Sequence, residues 1–163
     1  MITADFRMFI FFGSTTDGVV DDTWWIDLAA YTCSWAPPIT AGASGPPARE
    51  GHTSVLLTET EVVVFGGRSS DGTMLNDLWL LSTEVKTWQS VVTPAQQPRP
   101  VARRLHTATV IGGKMLVFGG SDAQSQALSD LWSYSSTAGW EQLQAVQPSS
   151  LRPRWDHAAC VQA

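Results

Sequence analysis

The three histidines of the chain are the residues whose type and spacing could support chemistry. His52, His106 and His157 lie 54 and 51 residues apart, and each follows an arginine by three positions. Regularly spaced imidazoles could surround an axis and bind a metal ion, because neutral imidazole is a common metal ligand. Ligand histidines usually need clustered partners, however. A structural role for all three is therefore the interpretation that we favour.

Three aspartates recur at a similar spacing and offer partners for those arginines. Asp22, Asp77 and Asp130 each precede a tryptophan by two residues. Carboxylates bind guanidinium groups strongly and often through two hydrogen bonds. We therefore interpret the aspartates as arginine partners rather than catalytic carboxylates, and we expect Arg49 and Asp77 to be energetically coupled.

A short apolar segment that ends in glycine must position these groups, and it too recurs. Met8–Gly13, Val62–Gly67 and Met115–Gly120 share this pattern, and each is followed by an aspartate and two spaced tryptophans. Several markers that share one period of about 50 residues predict a tandem repeat. The tryptophans at the marker positions are Trp24, Trp35, Trp79, Trp88, Trp132 and Trp140.

Each period is predicted to contain four short strands. In the second repeat these are Thr53–Leu57, Glu61–Phe65, Asp77–Leu81 and Thr87–Val92, separated by turn-forming residues and proline. The first repeat begins with the strand Arg7–Phe11 and continues into a turn-rich loop over Gly13–Asp21. We divide the chain, as a single domain, into a partial repeat 1–48, full repeats 49–102 and 103–153, and the opening strand of a further repeat, 154–163.

Four strands per period, a glycine pair after the second strand, and tryptophan in the third and fourth strands resemble the kelch repeat. The Arg-x-x-His-Thr opening resembles the subgroup found in host cell factor and in plant nitrile-specifier proteins. The resemblance implies an all-β fold of kelch-type β-propeller blades, each a four-stranded antiparallel sheet. The motif residues to which it assigns structural roles are Arg49, His52, Gly66, Gly67, Asp77, Trp79, Trp88, Arg103, His106, Gly119, Gly120, Asp130, Trp132, Trp140, Arg154 and His157.

The first repeat departs from the kelch pattern at the glycine pair. Phe12-Gly13 stands where the family has Gly-Gly. Glycine adopts positive φ readily, whereas a residue with a Cβ is strained there. We therefore expect this corner of the first repeat to be strained or loosened.

About three repeats do not make a closed ring, since closed propellers have about 4–8 blades. Two ways of closing remain open. In a six-bladed homodimer, the last strand of one copy (Asp156–Val161) would pair with the first strand of the other (Met8–Phe12). Alternatively, the chain is a piece of a longer kelch protein.

The loops between strands two and three, and those between repeats, are expected to gather on one face and to bind a partner. Arginines are frequent there, so an acidic peptide or a chain-terminal carboxylate would be a suitable ligand, although any single arginine could be merely exposed or structural. The candidate partner-binding residues are Arg68, Ser69, Asp71, Arg99, Arg104, Ser121, Asp122, Arg152 and Trp155.

Composition narrows the functional classes. The chain has 10 basic and 15 acidic residues, a net charge of −5, so we expect no nucleic-acid partner. No apolar run approaches the roughly 20 residues of a membrane helix, so we expect no membrane partner. Two cysteines without metal-type spacing favour a reducing, cytoplasmic location.

We predict a protein–protein interaction scaffold or adaptor with no chemistry and no cofactor of its own. Two alternatives stay open. One is an iron-dependent enzyme like the nitrile-specifier proteins, although the Glu-x-x-x-Asp-x-x-x-His run that their resemblance implies is missing from this sequence. The other is a purely structural fragment of a larger kelch protein.

Overall fold

The computed structural model describes residues 7–27, 34–35, 45–144 and 152–161. No helix long and apolar enough to cross a membrane occurs in these residues. The expected segments 36–44 and 145–151 of the inter-repeat loops lie outside them. The strands of the described residues are β1 (Arg7–Thr15), β2 (Gly18–Asp27), β3 (Ser34–Trp35), β4 (Arg49–Glu50), β5 (Thr53–Leu56), β6 (Glu61–Ser69), β7 (Met74–Ser82), β8 (Thr87–Ser90), β9 (Thr107–Ile111), β10 (Lys114–Phe118), β11 (Leu131–Ser135) and β12 (Gly139–Leu143).

The strands form three antiparallel sheets, which we call blades. Blade 1 consists of β1–β2–β3, and blade 3 consists of β9–β10–β11–β12 in sequence order. In blade 2 both β4 and β5 pair with β6, which continues to β7 and β8. The first strand of blade 2 is divided because Gly51, with φ of 63°, and His52 interrupt it. The expected all-β architecture of kelch-type blades is confirmed.

Large apolar side chains fill the space between blades 2 and 3. Phe65 and Met115 are fully buried, and Trp140 is almost so. The rings of Phe65 and Trp140 lie with their centroids 4.8 Å apart. Aromatic side chains suit this gap because each buries about 150–250 Å² and stacked sheets stand about 10 Å apart. Burial between sheets, rather than within one sheet, therefore holds the two blades together.

The contact between blades 1 and 2 is smaller. Val62 and Leu81 are its buried centre, and Phe11 and Trp88 pack against them. Phe11 meets Trp88 edge-on, with ring centroids 5.8 Å apart. Phe12 adopts φ of 50°, which confirms the strain expected at this corner. Its ring is buried against Trp88 and His52.

Two sequence predictions of local structure are wrong. The expected loop Gly13–Asp21 is a tight hairpin, since β1 extends to Thr15 and β2 starts at Gly18 with φ of 130°. The strand expected over 154–163 does not form in its described part, 154–161. The first strand of a repeat pairs with the second strand of the same repeat, as β9 does with β10, and no described strand pairs with residues 154–161.

Candidate functional site

The arginine that opens each full repeat is a buried connector. Arg103 is fully buried and binds the Asp130 carboxylate through Nη1 at 2.7 Å and Nη2 at 2.6 Å. Its Nη1 also donates to the Gly119 carbonyl at 2.9 Å, and its Nε donates to the Val101 carbonyl at 3.1 Å. Trp132 Nε1 donates to the same carboxylate at 2.7 Å. One buried guanidinium group thus joins the Asp130 carboxylate to the backbone carbonyls of Val101 and Gly119.

The second repeat repeats this arrangement. Arg49 binds Asp77 at 2.7 and 2.8 Å, donates to the Gly66 carbonyl at 3.0 Å, and contacts the Pro47 carbonyl at 3.1 Å. Trp79 Nε1 donates to Asp77 at 2.7 Å. The aspartates of both full repeats are thus engaged as partners of arginine and tryptophan.

Each histidine packs onto the blade before its own. His106 Nε2 lies 2.8 Å from Thr53 Oγ1, and its ring stands over Phe65 with centroids 5.2 Å apart. His157 likewise lies 3.1 Å from Thr107 and 5.5 Å from the Phe118 ring. The histidines therefore link successive repeats. The threonine partners were not predicted, although a threonine follows the histidine in both full repeats.

The glycine pair makes room for this packing. A Cβ on Gly66 would lie 2.8 Å from the Arg103 carbonyl oxygen and 3.1 Å from the His106 ring. A Cβ on Gly119 would meet Arg154 and His157 in the same way, at 2.7 and 3.2 Å. Real Cβ atoms essentially never come as close to a carbonyl oxygen as 2.7–2.8 Å, so the next opening segment can approach this closely only at a glycine.

The buried imidazoles are poorly suited to acid–base chemistry. Burial, reinforced by the nearby Arg103 charge, lowers the pKa of His106 to about 3, and burial with Arg49 lowers that of His52 to about 4. Burial and Arg154 also lower the pKa of His157. General bases work best with a pKa near the operating pH. In the part of the chain that the structure describes, no group of three or more His, Cys, Asp or Glu side chains could hold a metal ion.

The opening segments, Arg49–His52, Arg103–His106 and Arg154–His157, are joined to one another by backbone hydrogen bonds. Leu105 N donates to Gly51 O at 2.8 Å, and Asp156 N donates to Leu105 O at 2.9 Å. All three of these residues have positive φ, between 54° and 63°. The residues immediately before them therefore form a row across successive repeats. We call this the axial row: Glu50, Arg104 and Trp155.

Charge and aromatic surface meet at the axial row. Arg68, at the end of β6, binds Glu50 through Nε at 3.0 Å and Nη2 at 2.5 Å. Arg104 Nη1 lies 3.6 Å from the same carboxylate, and its buried Nε has no hydrogen-bond partner within the described part of the chain. Trp155 is 49% exposed. Glu50 was not predicted as a site residue, although it is an acid directly after the opening arginine.

Several of the predicted partner-binding side chains are engaged within their own loops. Asp71 Oδ1 accepts hydrogen bonds from Ser69 Oγ at 2.5 Å and from the backbone N–H of Thr73 at 2.9 Å, and these bonds lower the pKa of Asp71 to about 2. Asp122 accepts from two backbone N–H groups of its loop. Ser121 is buried and pairs through its backbone with Arg104. These residues shape the loops that flank the axial row.

The face that holds the axial row is not uniformly basic. Arg68 and Arg104 share Glu50, and the carboxylates of Asp71, Asp122 and Asp156 lie on the flanking loops and opening segments. Arg99 and Arg152 are exposed. The excess of arginine that the sequence suggested is therefore balanced locally by acids that are distant in sequence or part of tight turns.

The loop between the second and third repeats, predicted over Pro94–Arg104, does not lie wholly on the face that holds the axial row, contrary to the sequence prediction. Its first part, residues 94–97, lies with residues 91–93 beside the turn at residues 136–139 of blade 3. The Gln97 amide reaches Gly139, where an added Cβ would lie 2.9 Å from its oxygen. That turn is at the opposite ends of the strands from the hairpin after β10, because Tyr134 pairs with Met115 and Leu131 with Phe118.

Comparison with known proteins gives a consistent result. The KLHDC2/KLHL20/DRC7 Kelch-repeats domain model matches residues 1–163. Host cell factor 1 of Rattus norvegicus is 46% identical over 92 residues, which cover 53% of this chain and 4% of the rat protein. An F-box/kelch-repeat protein of Arabidopsis thaliana is 31% identical over 137 residues, 79% of this chain and 29% of the plant protein.

A more distant relative is the dynein alpha chain of the flagellar outer arm of Chlamydomonas reinhardtii, 28% identical over 123 residues, 73% of this chain and 3% of that protein. The chain thus spans a small part of the relatives that it matches. The repeated arginine–aspartate junctions, the glycine pairs and the full-length match lead to one conclusion: the chain belongs to the kelch-repeat family.

Proposed function

We propose that this chain is a protein-interaction module whose partner contacts the axial row. Kelch-repeat domains commonly mediate protein interactions, and the similarity to host cell factor supports a binding role. The observation that carries the proposal is the exposed Trp155 in line with Arg104 and Glu50. Tryptophan and arginine are the residues most often found at the energetic centre of protein interfaces.

The chemistry of the axial row indicates the type of partner segment. Two guanidinium groups, Arg68 and Arg104, compete for the single Glu50 carboxylate, and the Arg104 contact of 3.6 Å is the longer. A partner carboxylate would give Arg104 a closer acceptor, and an apolar partner side chain would cover Trp155. We therefore propose a peptide segment that carries an acidic and an apolar residue close together. The module contributes binding and no chemistry of its own.

Site-specific photo-crosslinking tests this proposal. A photoreactive amino acid is placed at Trp155 in one variant and at Ile111 in another, since Ile111 is similarly exposed but lies at the other end of the strands. A protein other than a second copy of this chain should be captured from Trp155 and not from Ile111.

The captured partner is then used to measure affinity. R104A and W155A should each weaken binding at least about tenfold, whereas I111A should leave it within about twofold. Equal capture from both positions, or an unchanged affinity in R104A and W155A, would place the interaction elsewhere.

A further inference from the structure

Arg154 is held as Arg103 is, by backbone hydrogen bonds to the preceding blade. Its backbone N donates to the Leu128 carbonyl at 3.0 Å and its carbonyl accepts from Gly120 N at 2.9 Å. Arg103 makes the equivalent backbone bonds with blade 2 at 3.0 and 2.8 Å. Arg154 Nε donates to the Arg152 carbonyl at 3.1 Å, the same distance as for Arg103 and its carbonyl. Blade 3 therefore positions the Arg154 side chain to bind a carboxylate through two hydrogen bonds, an arrangement that we call a fork.

The carboxylate for this fork is not among the described residues. Arg49 and Arg103 each bind the aspartate of the blade that follows their opening segment. No acidic side chain of the described residues lies within ion-pair distance of Arg154, whose side chain is exposed. The chain therefore presents an oriented guanidinium group without its usual partner.

Asp22 is the reciprocal half of the same junction. It accepts a hydrogen bond from Trp24 Nε1 at 2.5 Å, as Asp77 does from Trp79 and Asp130 from Trp132. No arginine of the described residues forms an ion pair with Asp22. Blade 1 thus holds the aspartate and tryptophan of a junction whose arginine must come from another opening segment.

The backbone around blade 1 shows the same incompleteness. In blades 2 and 3, a Cβ on Gly67 or Gly120 would lie 2.8 Å from a carbonyl oxygen of the opening segment. At the equivalent Gly13, no atom of the described residues lies within 4 Å of an added Cβ. Beside β1 is a cavity of about 510 Å³, lined by Met8, Phe9, Val55 and others. An opening segment and first strand would fill this side of blade 1.

We propose that a second copy of this chain supplies them. Arg154 of one copy forms the two-pronged ion pair with Asp22 of the other, and residues 158–161 pair with β1. The register follows from blade 3, in which Thr107 pairs with Phe118 and Val110 with Met115. The equivalent register places Ala158 opposite Phe11 and Val161 opposite Met8.

Two-fold symmetry makes the two junctions identical and forms them together. Each copy contributes three blades, so the assembly has six, within the usual range of closed propellers. A second copy is the occupant that we propose because Arg154 and Asp22 have opposite charges, and because residues 158–161 correspond to the first strand of blade 3. Closure also covers exposed apolar side chains at both edges, including Met8, Ile10 and Val161. This inference is independent of the partner that binds the axial row.

Charge exchange between copies tests the proposal. Light scattering after size exclusion should give twice the chain mass of 17.7 kDa at micromolar concentration. D22R and R154D should each weaken the dimer by about 100-fold or more, because each leaves like charges facing each other in both junctions. D17R and R152D, which make the same charge changes at exposed sites, should remain dimeric.

Mixing the single variants separates contact between copies from contact within one copy. In an equimolar mixture of D22R and R154D, each heterodimer has one wild-type junction and one junction with the charges exchanged. The mixture should therefore regain the dimer mass. The double variant D22R/R154D should dimerise alone, with both junctions exchanged. Circular dichroism confirms that each variant is folded. A monomeric wild-type chain, or a mixture of folded variants that stays monomeric, would overturn the proposal.

Discussion

Lowering the pH from 7 to 5 should destabilise the fold through its buried histidines. Burial lowers the pKa of His52 to about 4 and that of His106 to about 3, from an ordinary value of 6.5. Below pH 6.5 the unfolded chain therefore binds protons that the folded chain does not. Stability is full above that pH and falls as the pH decreases towards the folded pKa values.

The size of the effect follows from these values. Between pH 7 and pH 5, each of the two histidines should remove about 2 kcal/mol of folding free energy, or about 4 kcal/mol together. Burial is the largest cause of the low pKa of His106. Among the nearby charges, Arg103 and the other two histidines lower this pKa further, whereas Asp130 raises it. With a urea dependence of about 2 kcal/mol per molar, the unfolding midpoint should fall by about 2 M.

Urea unfolding at the two pH values, followed by tryptophan fluorescence, measures this shift. The variant H106L removes one titrating group, so its midpoint should change with pH by about half as much as that of the wild type. The comparison is made within each protein, so any general loss of stability in H106L cancels. A wild-type midpoint that is the same at pH 7 and pH 5 would refute the reasoning.

Three further predictions concern packing at the blade junctions. G66A should destabilise the fold by at least about 2 kcal/mol more than G112A, as measured by chemical denaturation of the two variants. Both glycines have positive φ, but only a Cβ at Gly66 would meet the Arg103 carbonyl oxygen, at 2.8 Å. Phe12→Gly should relieve backbone strain yet lose about 2–4 kcal/mol net, since its buried ring is removed, and a gain in melting temperature would contradict this. W140A should cost roughly 3–5 kcal/mol in the same denaturation assay, because its ring fills the space between blades 2 and 3.

The sequence was sufficient to predict the fold and most of the strands of the two full repeats. The period shared by Phe11, Phe65 and Phe118 fixes the architecture because each repeat must bury its apolar face against the next. The arginine–aspartate pairing at Arg49 and Asp77 could be inferred from chemistry, since both recur with the period and have opposite charge. Local signals agree with global packing at these positions.

The candidate site was predicted less well because it depends on geometry between repeats. Glu50 neutralises Arg68, which is distant in sequence, so counting arginines overestimated the basic character of the face. Residues 91–97 turn towards blade 3 because Gln97 packs on Gly139, a contact with no local signature. The segment Gly13–Asp21 forms a hairpin in which Thr15 pairs with Gly18, but its turn-rich composition is equally compatible with a long loop.

Buried arginine–aspartate ion pairs join the opening segments of the two full repeats to their blades. A double-mutant cycle on Arg49 and Asp77 tests this role directly, using R49M, D77N and the double variant with urea unfolding. Because Arg49 is buried and each group leaves the other unpaired when removed, we predict a coupling energy of about 2–3 kcal/mol. Additive effects, with a coupling energy near zero, would contradict the account.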